Sequence, residues 1–247
     1  MISSLNLSKP PKILIIHGLN NNLQGFHPLR DEFQKLGFEC QLITLPGHGE
    51  IRDESRNFLS AFRAFDRQMK KCVSDPYVVI AFSQGALFLQ LWLETNHKPA
   101  PKAQVLLAPA LYIKHESKIQ KMVSLLPSFA FIISQTPKKL KLYFKLHIWE
   151  YRTLLEAIKK FQTINTFFRI PTLILVDPQD ELIHAEKLEE NIKKLNASHV
   201  EFRHIDRPLL KARGLGKHHV LFHPDYFTKD QWTAMIGQIK SFFEKYR

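Results

Sequence analysis

Tyr77-Val78-Val79-Ile80-Ala81-Phe82-Ser83-Gln84-Gly85-Ala86-Leu87-Phe88-Leu89-Gln90-Leu91-Trp92-Leu93 is the stretch whose reading decides the fold. Its first six residues form an unbroken apolar run with three β-branched members, the pattern of a strand buried on both faces. From Ala86 to Leu93 the chain is apolar nearly all round, which predicts a central, buried helix. Between them lies Ala81-Phe82-Ser83-Gln84-Gly85. A serine at such a strand-to-helix junction stands on a sharp turn above the sheet, and small residues two before and two after it let strand and helix approach closely. The helix start behind it supplies free backbone N–H groups and a positive dipole end, which favour developing negative charge. Ser83 is the candidate nucleophile, weighed against an ordinary turn serine.

Working outward, strands and helices alternate. Lys12 to Ile16 reads as a first strand and Cys40 to Leu45 as a second. Val105 to Ala108 follows the Ser83 unit, then Thr172 to Val176 and Val200 to Ile205. Helices are predicted after Pro28, along Phe58, Phe62, Phe65, Met69 and Cys72, from His184 to Leu195, and along Trp232, Met235, Ile236, Ile239, Phe242 and Phe243. This alternation predicts an α/β fold: a doubly wound, mostly parallel sheet of about six strands with helices on both faces. The exception is residues 111–168, which show no convincing strand and read as a helical cap. The expected organisation is a core of residues 1–110 and 169–247, with the cap inserted over the sheet's carboxyl edge, where ligands bind in such folds.

A serine nucleophile needs a base, and the base needs an orienting acid. In folds with this nucleophile turn the chain order is Ser, acid, His. After the fifth predicted strand comes Asp177-Pro178-Gln179-Asp180-Glu181. Asp180 is favoured as the acid. Asp177, followed by Pro, suits a turn-shaping role and stays an alternate, as does Glu181. After the sixth strand comes His218-His219-Val220, preceded by the turn Gly214-Leu215-Gly216. His219 is favoured as the base and His218 is its alternate. His17-Gly18 directly follows the first strand, so the Leu19 N–H can join that of Gln84 as an oxyanion donor.

With these stretches in hand, the chain resembles the α/β-hydrolase superfamily, especially its small carboxylesterases and monoacylglycerol-lipase-like members. The likeness rests on Ile15-Ile16-His17-Gly18-Leu19, Leu45-Pro46-Gly47-His48-Gly49, Ala81 to Gly85, Asp177 to Leu182 and His219-Val220-Leu221, and spans residues 10–110 and 168–245. It departs from the family where Ala81 and Asp177 replace glycine and where a long loop, Arg207 to Lys217, precedes the histidine pair. Two strands that precede the first core strand in the family are expected to be missing. The resemblance implies acyl-ester hydrolysis through an acyl-enzyme, with no cofactor and no metal. The rival expectation is a non-catalytic scaffold that binds lipid or a protein, or a hydrolase of thioester, amide or C–C bonds.

Composition narrows the partners. The 247 residues carry a net charge of +12, with 45% hydrophobic residues, which indicates a globular chain. Residues 111–169 hold eleven basic residues against three acidic ones, an excess of eight and so two thirds of the whole imbalance. Leu, Phe and Trp are interleaved with them. The expectation is an apolar-chained ester substrate under a Lys-rich cap, with peripheral contact to anionic membrane as the competing role of the basic surface. Nucleic acid is not expected, because no recognition module is present. The longest apolar run, Val123 to Ser134, is broken by Pro127 and falls short of the roughly 20 residues a spanning helix needs. The N-terminus shows no basic start followed by an apolar stretch, so a cytoplasmic protein is expected. Cys40 and Cys72 read as buried free thiols.

Overall fold

The computed structural model describes residues 11–49, 56–73, 76–96, 99–164, 168–207 and 217–246. The N-terminal segment read above for targeting signals and the Gly214-Leu215-Gly216 turn lie outside them. Eight strands and seven α-helices follow in chain order: β1 (Lys12–Ile16), α1 (His27–Lys35), β2 (Cys40–Ile43), α2 (Phe58–Cys72), β3 (Tyr77–Phe82), α3 (Gln84–Thr95), β4 (Gln104–Leu107), α4 (Glu116–Leu125), β5 (Phe131–Ile133), β6 (Lys145–His147), α5 (Ile148–Gln162), β7 (Thr172–Val176), α6 (Ala185–Leu195), β8 (Val200–His204) and α7 (Lys229–Lys245).

Six strands form one parallel sheet in the order β2-β1-β3-β4-β7-β8. The apolar runs sort by position: β3, β4 and β7 are buried along their whole length, whereas the edge strands β2 and β8 are mostly half-buried. The chain leaves β1 toward β2, then returns past it to β3. That reversal opens a crevice at the carboxyl ends of β1 and β3, and His17 and Ser83 directly follow those two strands. Helix α3 is buried from Gln84 to Trp92, as its apolar circumference predicts. The stripe on α7 is buried at all six expected positions, and Thr228 caps its start by accepting from Gln231 N.

Three expectations need correction. The second strand stops at Ile43, because Leu45 turns its N–H away from the sheet to His17 Nε2 at 2.9 Å and Pro46 has none to give. Cys40 and Cys72 are free but only half-buried, since one lies on an edge strand and the other at the last turn of α2. The segment between β4 and β7 is not wholly helical. Helices α4 and α5 flank an antiparallel hairpin, β5–β6, in which Ile132 faces Leu146. Its three-residue strands alternate inward Ile132 and Leu146 with exposed Phe131, Ile133 and Lys145. A period-2 pattern that short is hidden from a reading tuned to longer runs.

Candidate active site

Ser83 sits between β3 and α3 at φ 50°, ψ −119°, a left-handed backbone that a non-glycine residue adopts only under constraint. The constraint is visible. Its N–H donates to Leu107 O at 3.0 Å, and its carbonyl accepts from Ala86 N, Leu87 N and Ala110 N at 3.1, 3.3 and 3.1 Å. Gly85 lets α3 lie against β1: a Cβ there would collide with the His17 carbonyl oxygen and come within 2.8 Å of Ile16 Cγ2.

The Ser83 hydroxyl donates to His219 Nε2 at 3.0 Å, and His219 Nδ1–H donates to Asp180 Oδ2 at 2.8 Å. All three residues are at least nine-tenths buried. The His219 ring packs on Phe82, with centroids 4.8 Å apart. Asp180 lies in the turn after β7, where Oδ1 accepts from Leu182 N and Ile183 N at 2.7 and 2.9 Å. Burial pushes the Asp180 carboxyl upward. The facing His219, its hydrogen bond and the two N–H groups outweigh that and hold it below the usual carboxylate range. Lys114 Nζ donates to the Asp180 carbonyl at 2.6 Å and ties the same turn to the segment after β4.

The two alternates, Asp177 and His218, meet each other rather than Ser83. His218 Nδ1 lies 3.0 Å from Asp177 Oδ2, and the same oxygen accepts from Arg207 Nε at 2.8 Å. Asp177 also shapes its turn, as read from the sequence, with Oδ1 accepting from Gln179 N at 2.8 Å. The structure thus holds two adjacent Asp–His pairs, of which one reaches the serine.

Leu19 and Gln84 both border the cavity in front of Ser83. Among the described residues, neither backbone N–H donates to a protein acceptor. The Leu19 turn is held by two buried histidines. His17 Nδ1–H donates to Gly18 O at 2.7 Å and its Nε2 accepts from Leu45 N; His48 Nε2 accepts from Asn20 N at 2.6 Å. Burial, then the neighbouring His48, lower the His17 pKa to about 3, so the ring is neutral.

The cavity has a volume of about 330 Å³. Ser83 and His219 line one part of it. Another part is walled by apolar side chains of the segment between β4 and β7, among them Ile113, Ile119, Met122, Ile132 and Leu146. Among its described lining, Lys114 is the one residue with a lysine or arginine side chain, His219 and Tyr151 are the other titrating groups, and no carboxylate lines it.

Asn20 and Arg207 escaped the sequence reading, and Glu181 entered it only as a competing acid. Asn20, at φ 56°, uses its side chain to join the Leu19 turn to Ser134 Oγ, Tyr143 O and Tyr143 N. Glu181 accepts from the N–H groups of Lys217, His218 and His219. Arg207 is buried beside Asp177. The φ of Asn20 had a weak signal, since Asn tolerates left-handed backbone. Arg207 had none, because a charged residue beyond a strand reads as solvated.

The architecture is shared with solved structures of low sequence identity. A monoacylglycerol lipase from Paleococcus ferrophilus superposes with a TM-score of 0.69 at 15% identity, over 94% of this chain and 96% of that one. A soluble variant of monoglyceride lipase from Saccharomyces cerevisiae, in complex with a substrate analogue, gives 0.75 at 15% identity, over 98% and 90%. A thioesterase domain from the curacin biosynthetic pathway gives 0.62 at 14%, over 94% and 92%. At these identities the likeness establishes the fold. No curated protein sequence matches the chain. The profile of the hydrolase family described as serine aminopeptidase, S33, matches residues 9–208, so the chain belongs to that family of α/β-hydrolases.

Proposed function

We propose that the protein hydrolyses a carboxylic ester with an apolar acyl chain through a covalent acyl-enzyme. One observation carries the reading: the unbroken Ser83–His219–Asp180 hydrogen-bond relay, 3.0 and 2.8 Å long, opens into a mainly apolar cavity. Ser83 Oγ attacks the ester carbonyl while His219 Nε2 takes its proton. Asp180 stays ionised and holds the imidazolium through Nδ1–H. The N–H groups of Leu19 and Gln84 receive the oxyanion. His219 then protonates the departing alcohol. A water deprotonated by His219 attacks the acyl carbonyl, and Ser83 leaves with the proton as the free acid forms. No cofactor enters these steps.

An aminopeptidase specificity, which the family's description names, fits the cavity less well. A substrate's free ammonium group calls for a carboxylate partner, and none lines the described cavity. Thioester, amide and C–C substrates would use the same relay, and the apolar walls favour an acyl chain in each case. A scaffold without activity has no need of a serine strained at φ 50° and aligned on a histidine. The free Cys40 and Cys72 suit the reducing cytoplasm we infer for it.

A peripheral contact with anionic membrane has its own support. The segment between β4 and β7 exposes Leu125, Phe129, Phe131, Ile133 and Phe144. Lysines stand over two of those rings, Lys145 at 3.8 Å from the Phe131 centroid and Lys141 at 5.4 Å from that of Phe144. Exposed apolar side chains beside cations suit an anionic bilayer surface. No described helix is long and apolar enough to cross a membrane.

The test is labelling by a fluorophosphonate, with the modified residue mapped by mass spectrometry, alongside hydrolysis of p-nitrophenyl esters of graded chain length. Labelling at Ser83, and turnover that rises with acyl length up to the capacity of the cavity, are expected. A folded protein that neither labels nor hydrolyses any ester overturns the reading.

A further inference from the structure

His219 lies on the turn Lys217–Val220, outside any helix or strand, closed by Val220 N donating to Lys217 O at 3.2 Å. A ring on such a turn has no regular element to hold it. Proton transfer needs it within hydrogen-bond reach of Ser83, and a displacement of about 1 Å from a reacting geometry lowers turnover about 100-fold. Something outside the turn must fix it.

Two side chains grip the backbone on both sides of the ring. The Glu181 carboxylate accepts the N–H groups of Lys217 and His218 on Oε1, at 3.1 and 3.3 Å, and that of His219 on Oε2, at 3.1 Å. The Arg207 guanidinium donates to the carbonyls of His218 and Val220, the second at 2.8 Å, and to Tyr226 O at 3.1 Å. Its Nε–H donates to Asp177 at 2.8 Å, and Asp177 in turn holds His218 Nδ1. Arg207 lies over the Phe227 ring, 4.6 Å from its centroid. Arg207 and Asp177 are essentially without solvent contact. A buried ion pair is weak evidence of stabilisation, because a packed apolar pair does as well or better. Here the planar fork does what an apolar pair does not: it orients three carbonyls at once.

We propose that Arg207 and Glu181 are positioning residues that fix the His219 ring by clamping its backbone, with Asp177 anchoring Arg207. This rests on the reading of Ser83, His219 and Asp180 as the reacting group. Neither residue borders the described cavity. Both are tied to the turn that carries Asp180, Glu181 by sequence and Arg207 through Asp177. The acid and the base are thereby held to one another.

The experiment compares Arg207→Lys and Glu181→Gln with the unmodified protein. Lysine keeps a charge beside Asp177 but does not reproduce the fork. Glutamine puts an amide donor where a carboxylate oxygen accepts an N–H. For folded protein, kcat on a short soluble ester is expected to fall about 10- to 100-fold with KM within about twofold. The downfield proton resonance of His219 Nδ1–H, shared with Asp180 and read without substrate, is expected to broaden or vanish. A merely structural role would lower the melting temperature and leave kcat per folded molecule and that resonance unchanged in both variants, which would overturn the clamp. Glu181 is half-buried and, among the described residues, bonds only to backbone, so Glu181→Gln keeps the test open if Arg207→Lys does not fold. Loss of the resonance in the variants of a protein that hydrolyses no ester would sustain the clamp and refute the hydrolase reading instead.

Discussion

Acidification should unfold this protein partly through one buried histidine. His17 is 1% exposed, its Nε2 is committed to accepting from Leu45 N, and its folded pKa is lowered from 6.5 to about 3. Because that pKa is depressed, the unfolded chain binds the proton first, and stability falls as pH drops from about 6.5 toward 3. The full displacement, about 3.5 pKa units at 1.36 kcal/mol each, is on the order of 5 kcal/mol; by pH 4.5 roughly 2.5 kcal/mol of it is lost relative to pH 7. That is a large part of a typical domain's 5–15 kcal/mol. Urea unfolding at pH 7.0 and 4.5 measures it in the unmodified protein and in His17→Gln, whose amide oxygen replaces the acceptor for Leu45 N without titrating. Other groups contribute equally to both proteins, so the drop should be smaller in the variant by about 2.5 kcal/mol. Equal drops would refute the reasoning and mean that His17 is protonated in the fold with little penalty.

Ser83→Ala and His219→Ala should each lower ester turnover by about 10³-fold or more, while His218→Ala keeps turnover within about tenfold; steady-state kinetics on one ester decides, and equal losses at the two histidines would refute the assignment. Gly85→Ala should destabilise by about 3 kcal/mol or more, since its Cβ would meet the His17 carbonyl oxygen, a backbone atom with little room to move; a denaturation midpoint close to that of the unmodified protein would contradict the close approach of α3 and β1. Vesicles containing anionic lipid should sediment with the protein at low salt and release it at high salt, and Phe129→Ser with Phe131→Ser should weaken this while sparing a short soluble ester; equal binding to neutral and anionic vesicles would remove the electrostatic contribution.

The sequence by itself determined the layers and the order of the chemistry. Continuous apolar runs from Lys12, Tyr77 and Thr172 could satisfy their backbones and bury their faces only as parallel strands between helices. Ala81 to Gly85 at a strand-to-helix junction could only be a sharp turn with Ser83 on top. Asp180 and His219 follow later strands, and the parallel arrangement brings the ends of those strands to one edge. These features are local, carried by periodicity and by small residues, so they survive without coordinates. What only the tertiary structure decided is pairing. Asp177 lies three residues before Asp180 and His218 one before His219, and sequence spacing has no means of saying which acid meets which ring. The directions of the two turns separate them: one pair faces Ser83 and the other faces Arg207. Arg207 itself gave no signal, because burial of a charge depends on partners 11 to 30 residues away being folded around it. The β5–β6 hairpin was hidden for a related reason. Three-residue strands have too little pattern of their own, and Ile132 and Leu146 face inward only once the chain between them has closed.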